Sequence, residues 1–93
     1  CKKGVIIINA ARGGLINEQD MREALESKQV SFFASDVVSV EPMLPDNPLL
    51  GAPNCILTPH IAWAPKETRM RLIDEAAKNL EGFINGNIIN QVN

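Results

Sequence analysis

The chain has 93 residues, of which 45% are hydrophobic and 22% charged, with a formal net charge of −2. This length gives room for one small domain, and the weak negative charge gives no electrostatic reason to expect nucleic acid or an anionic membrane as partner. No apolar run approaches the roughly 20 residues that a membrane-spanning helix needs. These features predict a cytoplasmic globular protein.

The two cysteines, Cys1 and Cys55, have no metal-type spacing and are too few for a disulfide scaffold. We therefore predict two free thiols, with Cys55 acting as a small buried hydrophobic residue, and no metal site. The chain has no initiator Met and no signal sequence, and it enters an apolar run just after Gly4. It is interpreted as a fragment of a longer protein.

The first elements form a strand, a turn and a helix. Val5–Ile8 is a β-branched run typical of a strand that is buried on both faces of a parallel sheet. After a flexible turn, Asn17 is a good N-cap, and Ile16 and Met21 are placed to form a hydrophobic staple. The helix is expected to fade near Ser27–Gln29.

A second strand is predicted over Phe32–Val38. Strand, helix and strand within about forty residues form a βαβ unit, which implies a parallel pair. The following stretch contains four prolines (Pro42, Pro45, Pro48 and Pro53), which exclude a helix and indicate a long loop. Cys55–Leu57 is the third predicted strand, and Thr58-Pro59 ends it.

The last predicted element is a long helix with Pro65 in its first turn. Its apolar residues fall on one stripe, comprising Leu72, Ile73, Ala76, Ala77, Leu80, Phe83 and Ile84. Gly86 is the predicted C-terminal stop. The tail Asn87–Asn93 could add an extended segment to another surface.

The residues capable of chemistry follow the ends of the predicted strands. Arg12 follows the first strand, Asp36 and Glu41 lie at and beyond the end of the second, and His60 follows the third. In an open parallel sheet these ends share one edge, where ligands bind. We therefore predict that a guanidinium, two carboxylates and an imidazole converge there.

Each of these residues also has a purely structural interpretation. Arg12 and His60 taken singly are more often solvated loop or capping residues, and Glu41 before a proline could be a turn residue. Asp36 is harder to explain in this way, because a carboxylate close to a sheet needs a partner or a ligand. Trp63, the only Trp, could pack under the final helix or form the wall of a small-molecule pocket.

Three motifs in order along the chain carry a family resemblance. Asn9–Gly13 resembles the Asn-x-x-Arg-Gly signature of the D-isomer-specific 2-hydroxyacid dehydrogenases. Asp36–Pro42 matches that family's Asp-Val-x-x-x-Glu-Pro, and Thr58–His60 matches its Thr-Pro-His. Within the family, Pro59–Ala64 and Arg69–Leu72 are similar to bacterial glycerate dehydrogenases, also called hydroxypyruvate reductases.

The resemblance implies an NAD-dependent oxidoreductase that transfers hydride between nicotinamide and a 2-oxo or 2-hydroxy acid, with hydroxypyruvate and D-glycerate as the expected pair. It implies that Arg12 holds the substrate carboxylate and that His60 is the acid–base group. Glu41 would pair with His60 and favour its protonated form. Asp36 would accept a hydrogen bond from the nicotinamide carboxamide.

The resemblance also assigns further contacts. Ala10 and Ala11, together with Arg12, Asp36 and His60, are expected to contact the cofactor, and Trp63 joins Arg12 and His60 at the substrate. The implied fold is α/β: the C-terminal part of a Rossmann-like, doubly wound parallel sheet. Residues 1–64 would belong to the dinucleotide-binding domain, and residues 65–93 would be a helix and tail that return towards a substrate domain not present in the chain. A homodimer is the family expectation.

The family's Gly-x-Gly-x-x-Gly turn, which seats the cofactor pyrophosphate, does not occur in these 93 residues. NAD is therefore the expected cofactor, with NADP left open, and the isolated chain is expected to be inactive. The alternative hypothesis is a non-catalytic half-domain or protein-binding module that self-associates through an exposed sheet edge.

Overall fold

Three parallel strands form a sheet in the first part of the chain. They are β1 (Val5–Asn9), β2 (Val30–Ser35) and β3 (Cys55–Leu57), in the spatial order β1-β2-β3. The structure is a computed structural model that describes residues 1–92. The parallel pairing of β1 with β2 and of β2 with β3 confirms the predicted α/β architecture.

Helix α1 (Glu18–Glu26) connects β1 to β2. It begins where predicted, because the side-chain oxygen of Asn17 accepts the backbone N–H groups of Gln19 and Asp20, both at 3.1 Å. Such a cap satisfies donors that the first helical turn leaves without partners. The helix ends at Glu26, and its C-cap, Ser27, falls within the predicted range.

The hydrophobic core lies on one face of the sheet, between the strands and α1. Its buried members are Met21, Leu25, Val30, Phe33 and Leu49. The prediction that β1 is buried on both faces is wrong. Ile6, Ile8 and Ile56, which alternate with the core-facing residues, are 62%, 74% and 54% exposed.

Strand β2 is displaced from its predicted position, because it begins at Val30 and ends at Ser35. Val30 is buried and pairs with Val5, which extends the strand at its start. At its end the Ser35 hydroxyl donates to the Val37 carbonyl oxygen at 2.7 Å, a local bond that turns the chain out of the sheet. Asp36 therefore follows the strand.

The predicted proline-rich loop between β2 and β3 contains no helix or strand. It is nevertheless fixed to the core. Leu49 is buried, and its N–H donates to the Asn47 side chain at 2.9 Å. From α1, Arg22 donates to the carbonyl oxygens of Pro48 and Leu50 at 2.8 and 3.1 Å. The path of this loop is thus determined by α1.

The chain divides into two compact units, Cys1–Ala62 and Trp63–Asn93. In the second unit, α2 (Lys66–Ile84) follows Pro65, as predicted. Gly86 has a φ of 72° and donates to the Phe83 carbonyl, and Asn87 donates to the Gly82 carbonyl. This is a Schellman motif, which confirms Gly86 as the stop signal.

The apolar stripe of α2 remains open, with no buried residue in the helix. The tail bends back along the helix: the Asn90 amide donates to Glu75 at 2.7 Å and to Asn79 at 3.0 Å. The predicted tail includes Asn93, which lies outside the described residues. Within residues 1–92, no helix is long and apolar enough to cross a membrane.

Candidate active site

An imidazole–carboxylate pair forms the centre of the candidate site. Nδ1 of His60 lies 2.7 Å from Oε2 of Glu41, and their side chains are 44% and 38% exposed. The other Glu41 oxygen accepts the backbone N–H of Val38 at 3.2 Å. The hydrogen bond with His60, followed by that from Val38, lowers the pKa of Glu41. The carboxylate therefore fixes the orientation of the ring through Nδ1.

Asp36 holds the turn that carries His60. Its side chain is 8% exposed and accepts the Thr58 hydroxyl and the Ile61 N–H on one oxygen and the Ala62 N–H on the other. The hydrogen bond from Thr58 is the main reason that the pKa of Asp36 is lowered, and the two backbone donors add to the effect. A buried carboxylate with these donors is ionised and fixed in place.

The backbone of His60 has a φ of 54°, in the left-handed region that non-glycine residues seldom adopt. Its N–H donates to the main-chain carbonyl of Asp36 at 2.8 Å and to that of Thr58 at 3.0 Å. A residue in this conformation costs roughly 1–3 kcal/mol and persists where its surroundings fix it. Here Asp36 supplies that constraint with both its backbone and its side chain.

A cavity of about 680 Å³ opens beside the pair. Its polar lining consists of Asp36, Glu41, Thr58 and His60, and its apolar lining consists of Val38, Pro42, Met43, Leu57 and Pro59. Apolar walls with a few convergent polar groups are typical of small-molecule sites. The three predicted residues that follow β2 and β3 therefore meet at one cavity.

The residues after β1 lie elsewhere. Arg12 does not line this cavity; its side chain is exposed and donates to the Ala11 carbonyl at 2.7 Å. Ala10 lines a second, smaller cavity of about 170 Å³ that also reaches Asp36 and Thr58. The N–H of Ala11 donates to the Asn9 side chain at 3.1 Å. Trp63 belongs to the second unit and is 56% exposed.

Thr58 is a site residue that the sequence reasoning missed as a functional group. Its position was a usable signal, because it directly follows β3 at the edge where Asp36 follows β2. Of the two free thiols, Cys1 is exposed and Cys55 is half-buried, and burial raises the pKa of the Cys55 thiol. A thiol in that state is a poor nucleophile. Residues 1–92 contain no group of three or more side chains suited to hold a metal ion.

The family profile described as "D-isomer specific 2-hydroxyacid dehydrogenase, NAD binding domain" matches residues 1–62. A hydroxypyruvate reductase from Blautia hydrogenotrophica is 60% identical over 92 residues, which is 99% of this chain and 29% of that protein. A glycerate dehydrogenase from Methylorubrum extorquens is 42% identical over 87 residues, covering 91% of this chain and 28% of that protein.

Solved structures agree with these matches. The crystal structure of a glyoxylate reductase from Paecilomyes thermophila superimposes with a TM-score of 0.73 at 38% identity, over 98% of this chain and 28% of that one. The chain thus spans less than a third of the length of these relatives. It belongs to the D-isomer-specific 2-hydroxyacid dehydrogenase family, and its residues 1–62 match that family's NAD-binding domain.

Proposed function

We propose that the whole protein is an NAD-dependent oxidoreductase that reduces a 2-oxo acid to a D-2-hydroxy acid, with hydroxypyruvate and D-glycerate as its preferred pair. The observation that carries this proposal is the His60–Glu41 pair, 2.7 Å apart, at the wall of a cavity of about 680 Å³. The family and the similarity to a hydroxypyruvate reductase support the reaction class and the substrate.

His60 is the proposed acid–base residue. In ketone reduction its imidazolium gives a proton to the oxygen that becomes the hydroxyl group, and in the reverse direction the neutral ring takes that proton back. An imidazole serves both directions near neutral pH. Glu41 holds the ring through Nδ1, and we assign the proton transfer to the other ring nitrogen, Nε2. Glu41 also stabilises the positive charge on the protonated ring.

The residues around the cavity fit the nicotinamide end of a dinucleotide. The apolar side chains of Leu57 and Met43 suit a planar ring, and the carboxylate of Asp36 lies at the cavity wall. One Asp36 oxygen has a single protein donor, so it can accept another N–H, such as that of a carboxamide. The bound nicotinamide would supply the hydride.

Substrate binding is assigned to Arg12, His60 and Trp63. The planar fork of donors on an arginine matches a carboxylate. In this structure the Arg12 guanidinium donates to Ala11, next to it in sequence, at 2.7 Å. We propose that it exchanges this bond for the substrate carboxylate. Ala10 and Ala11 complete the proposed cofactor contacts, and Trp63 is proposed as a substrate-binding residue.

The test is NADH-dependent reduction of hydroxypyruvate, glyoxylate and pyruvate by the whole protein and its His60→Ala variant. We expect hydroxypyruvate to be the best substrate and the variant to lose roughly 10²- to 10⁴-fold in turnover. A clear preference for pyruvate would remove the substrate assignment, and full activity in the variant would remove the role of His60. NADPH is assayed in parallel, because the sequence identifies no residue that reads the ribose.

The 93 residues by themselves are proposed to be inactive, because they contain no Gly-x-Gly-x-x-Gly turn to seat the pyrophosphate. The same assay on this chain tests the point. Turnover that disappears in its His60→Ala variant would contradict it. For the whole protein we propose a cytoplasmic homodimer without membrane or nucleic-acid partners, which cell fractionation and sedimentation velocity would test.

A second candidate function for the isolated chain is self-association. The observation in its favour is the open sheet face, where Ile6, Ile8 and Ile56 are each more than half exposed. Sedimentation velocity over a range of concentrations, with the Ile8→Lys variant as comparison, tests this. Oligomers that the variant lacks would support the hypothesis, and a monomer at every concentration would remove it.

A further inference from the structure

The connection between β1 and α1 lies against the turn that carries Glu41, and Gly13 is at the point of contact. Gly13 is buried, and a Cβ atom built on it would lie 1.9 Å from the Val38 carbonyl oxygen and 2.5 Å from the Ser39 nitrogen. Such distances are far shorter than any contact that real Cβ atoms make. The backbone of residues 38–39 therefore lies directly against Gly13, and only glycine allows this approach.

A carboxylate at the start of α1 holds the same turn. Glu18, the first residue of α1, accepts the Ser39 N–H on Oε1 and the Ser39 hydroxyl on Oε2, both at 2.8 Å. Both carboxylate oxygens of Glu18 thus accept hydrogen bonds from one residue that is distant in sequence. Asp20, the other acidic residue in the first helical turn, has no such long-range bond among the described contacts.

The N–H groups of Val38 and Ser39 are consecutive, and they bind two different carboxylates. Val38 donates to Glu41 at 3.2 Å, and Ser39 donates to Glu18 at 2.8 Å. Glu41 in turn holds His60. A continuous series of contacts therefore runs from Glu18 through the turn to the imidazole.

We propose that Glu18 and Gly13 are positioning residues that hold the Glu41 turn in register, so that Glu41 meets Nδ1 of His60. The expected effect on turnover rests on the proposed function. The positioning of Glu41 against His60 does not depend on it. Gly13 is next to Arg12, so the same contact ties the residues after β1 to the turn that carries Glu41. The β1–α1 connection would then set the spacing between the substrate carboxylate and the transferred proton.

The test uses NMR titration of the imidazole in this chain, because His60 is its only histidine. Among the described contacts, two charged groups act on the ring: Glu41, bonded to Nδ1, and Asp36, which acts through its charge. Glu41→Gln removes the negative charge next to the ring and should move the titration midpoint to lower pH. The size of this movement is the reference for the other variants. We expect Glu18→Ala to produce at least half of that shift, because the unheld turn lets Glu41 move away from the ring.

Two matched variants separate positioning from charge. Asp20→Ala removes an acidic residue from the same helical turn and should leave the midpoint in place. Glu18→Gln removes the charge but keeps a side chain that reaches Ser39. The His60 titration midpoint of this variant should therefore lie close to that of the unaltered chain. An unchanged midpoint in Glu18→Ala, or an equal shift in Asp20→Ala, would overturn the proposal.

Gly13→Ala should move the midpoint in the same direction as Glu18→Ala, with a larger effect. If that variant does not fold, Glu18→Ala decides the question alone. In the whole protein we expect Glu18→Ala to lower kcat and shift its pH profile, with KM for the 2-oxo acid nearly unchanged. A protein without turnover in its unaltered form would refute the proposed function, whereas the NMR titration would still decide whether Glu18 positions the pair.

Discussion

Glu41 and His60 are 19 positions apart, and their side chains meet at 2.7 Å between Oε2 and Nδ1. Neither residue lies in a strand or a helix. Glu41 is held by the turn after β2, and His60 is held by Asp36 in a left-handed backbone conformation. The pair is therefore created by two loops that the sheet brings to one edge, as expected for open parallel sheets.

The first prediction concerns the pH dependence of ketone reduction in the whole protein. In the proposed mechanism the protonated imidazole donates the proton, so the rate is expected to fall as pH rises through the titration of His60. The Glu41 carboxylate stabilises the protonated form. Glu41→Gln should therefore move this alkaline limb to lower pH, as measured by kcat/KM against pH. Glu23→Gln, on α1, is the control and should leave the limb unchanged.

Salt provides a second check on the same pair. Because both side chains are about 40% exposed, their interaction is partly screened by dissolved ions. The difference between the Glu41→Gln and unaltered profiles should shrink as ionic strength rises. A profile that is identical in the two proteins at low salt would argue against the pairing.

The second prediction concerns acid stability and Asp36. The pKa of Asp36 is lower in the folded chain than its ordinary value, chiefly because of the Thr58 hydrogen bond. Its contribution to stability is therefore complete above the unfolded-chain pKa of about 3.9 and is lost as pH falls through the folded-state pKa. In Asp36→Asn, an NH₂ group would face a backbone donor, so the variant should be less stable at pH 7. Its free energy of unfolding should also fall less on acidification than that of the unaltered chain.

Urea unfolding followed by circular dichroism between pH 3 and pH 7 measures both effects. Asp46→Asn, in the exposed part of the β2–β3 loop, is the matched control and should follow the unaltered chain. If Asp36→Asn retained the full acid dependence of the unaltered chain, the Asp36 network would not be its source.

The third prediction concerns the one-sided core. Phe33 is 1% exposed, whereas Ile8 on the same sheet is 74% exposed. Phe33→Ala should cost about 3–5 kcal/mol, a large part of the stability of so small a domain. Ile8→Ala should change the free energy of unfolding by no more than about 0.5 kcal/mol. Equal losses in the two variants would mean that the open face is buried in solution.

The fourth prediction concerns the start of α1. Asn17→Ala removes the side-chain oxygen that accepts two backbone N–H groups at 3.1 Å. The expected loss is about 0.5–2 kcal/mol in the free energy of unfolding. Glu23→Ala, in the middle of the same helix, should cost only a few tenths of a kcal/mol. Thermal unfolding curves of the two variants would show whether the cap or general helix propensity matters.

Much of the fold was predictable from local patterns. Cys55–Leu57 forms a strand with the predicted bounds, and Asn17 and Gly86 mark helix ends as expected. These predictions succeeded because caps, stop signals and β-branched runs act through neighbours in sequence. The displaced end of β2 could not be predicted, because it depends on the Ser35 hydroxyl turning onto Val37.

The site was predictable in part for the same reason. Strand order alone brings Asp36, Glu41 and His60 to one cavity. The position of the Arg12 side chain was not predictable, since an exposed arginine has many partners of similar energy. The bonds of Glu18 to Ser39 were not predictable either, because 21 residues separate the two and Glu18 lies at the start of a helix.

The open face of the sheet has a consequence for handling the chain. Association through apolar surface is driven by entropy near room temperature and weakens on cooling, and sulfate strengthens it. A chain that exposes Ile6, Ile8 and Ile56 should therefore associate more when it is warmed or when sulfate is added. Its light scattering should rise under these conditions and fall again on cooling. Solutions kept cold, dilute and free of sulfate are the conditions in which the His60 titration can be recorded.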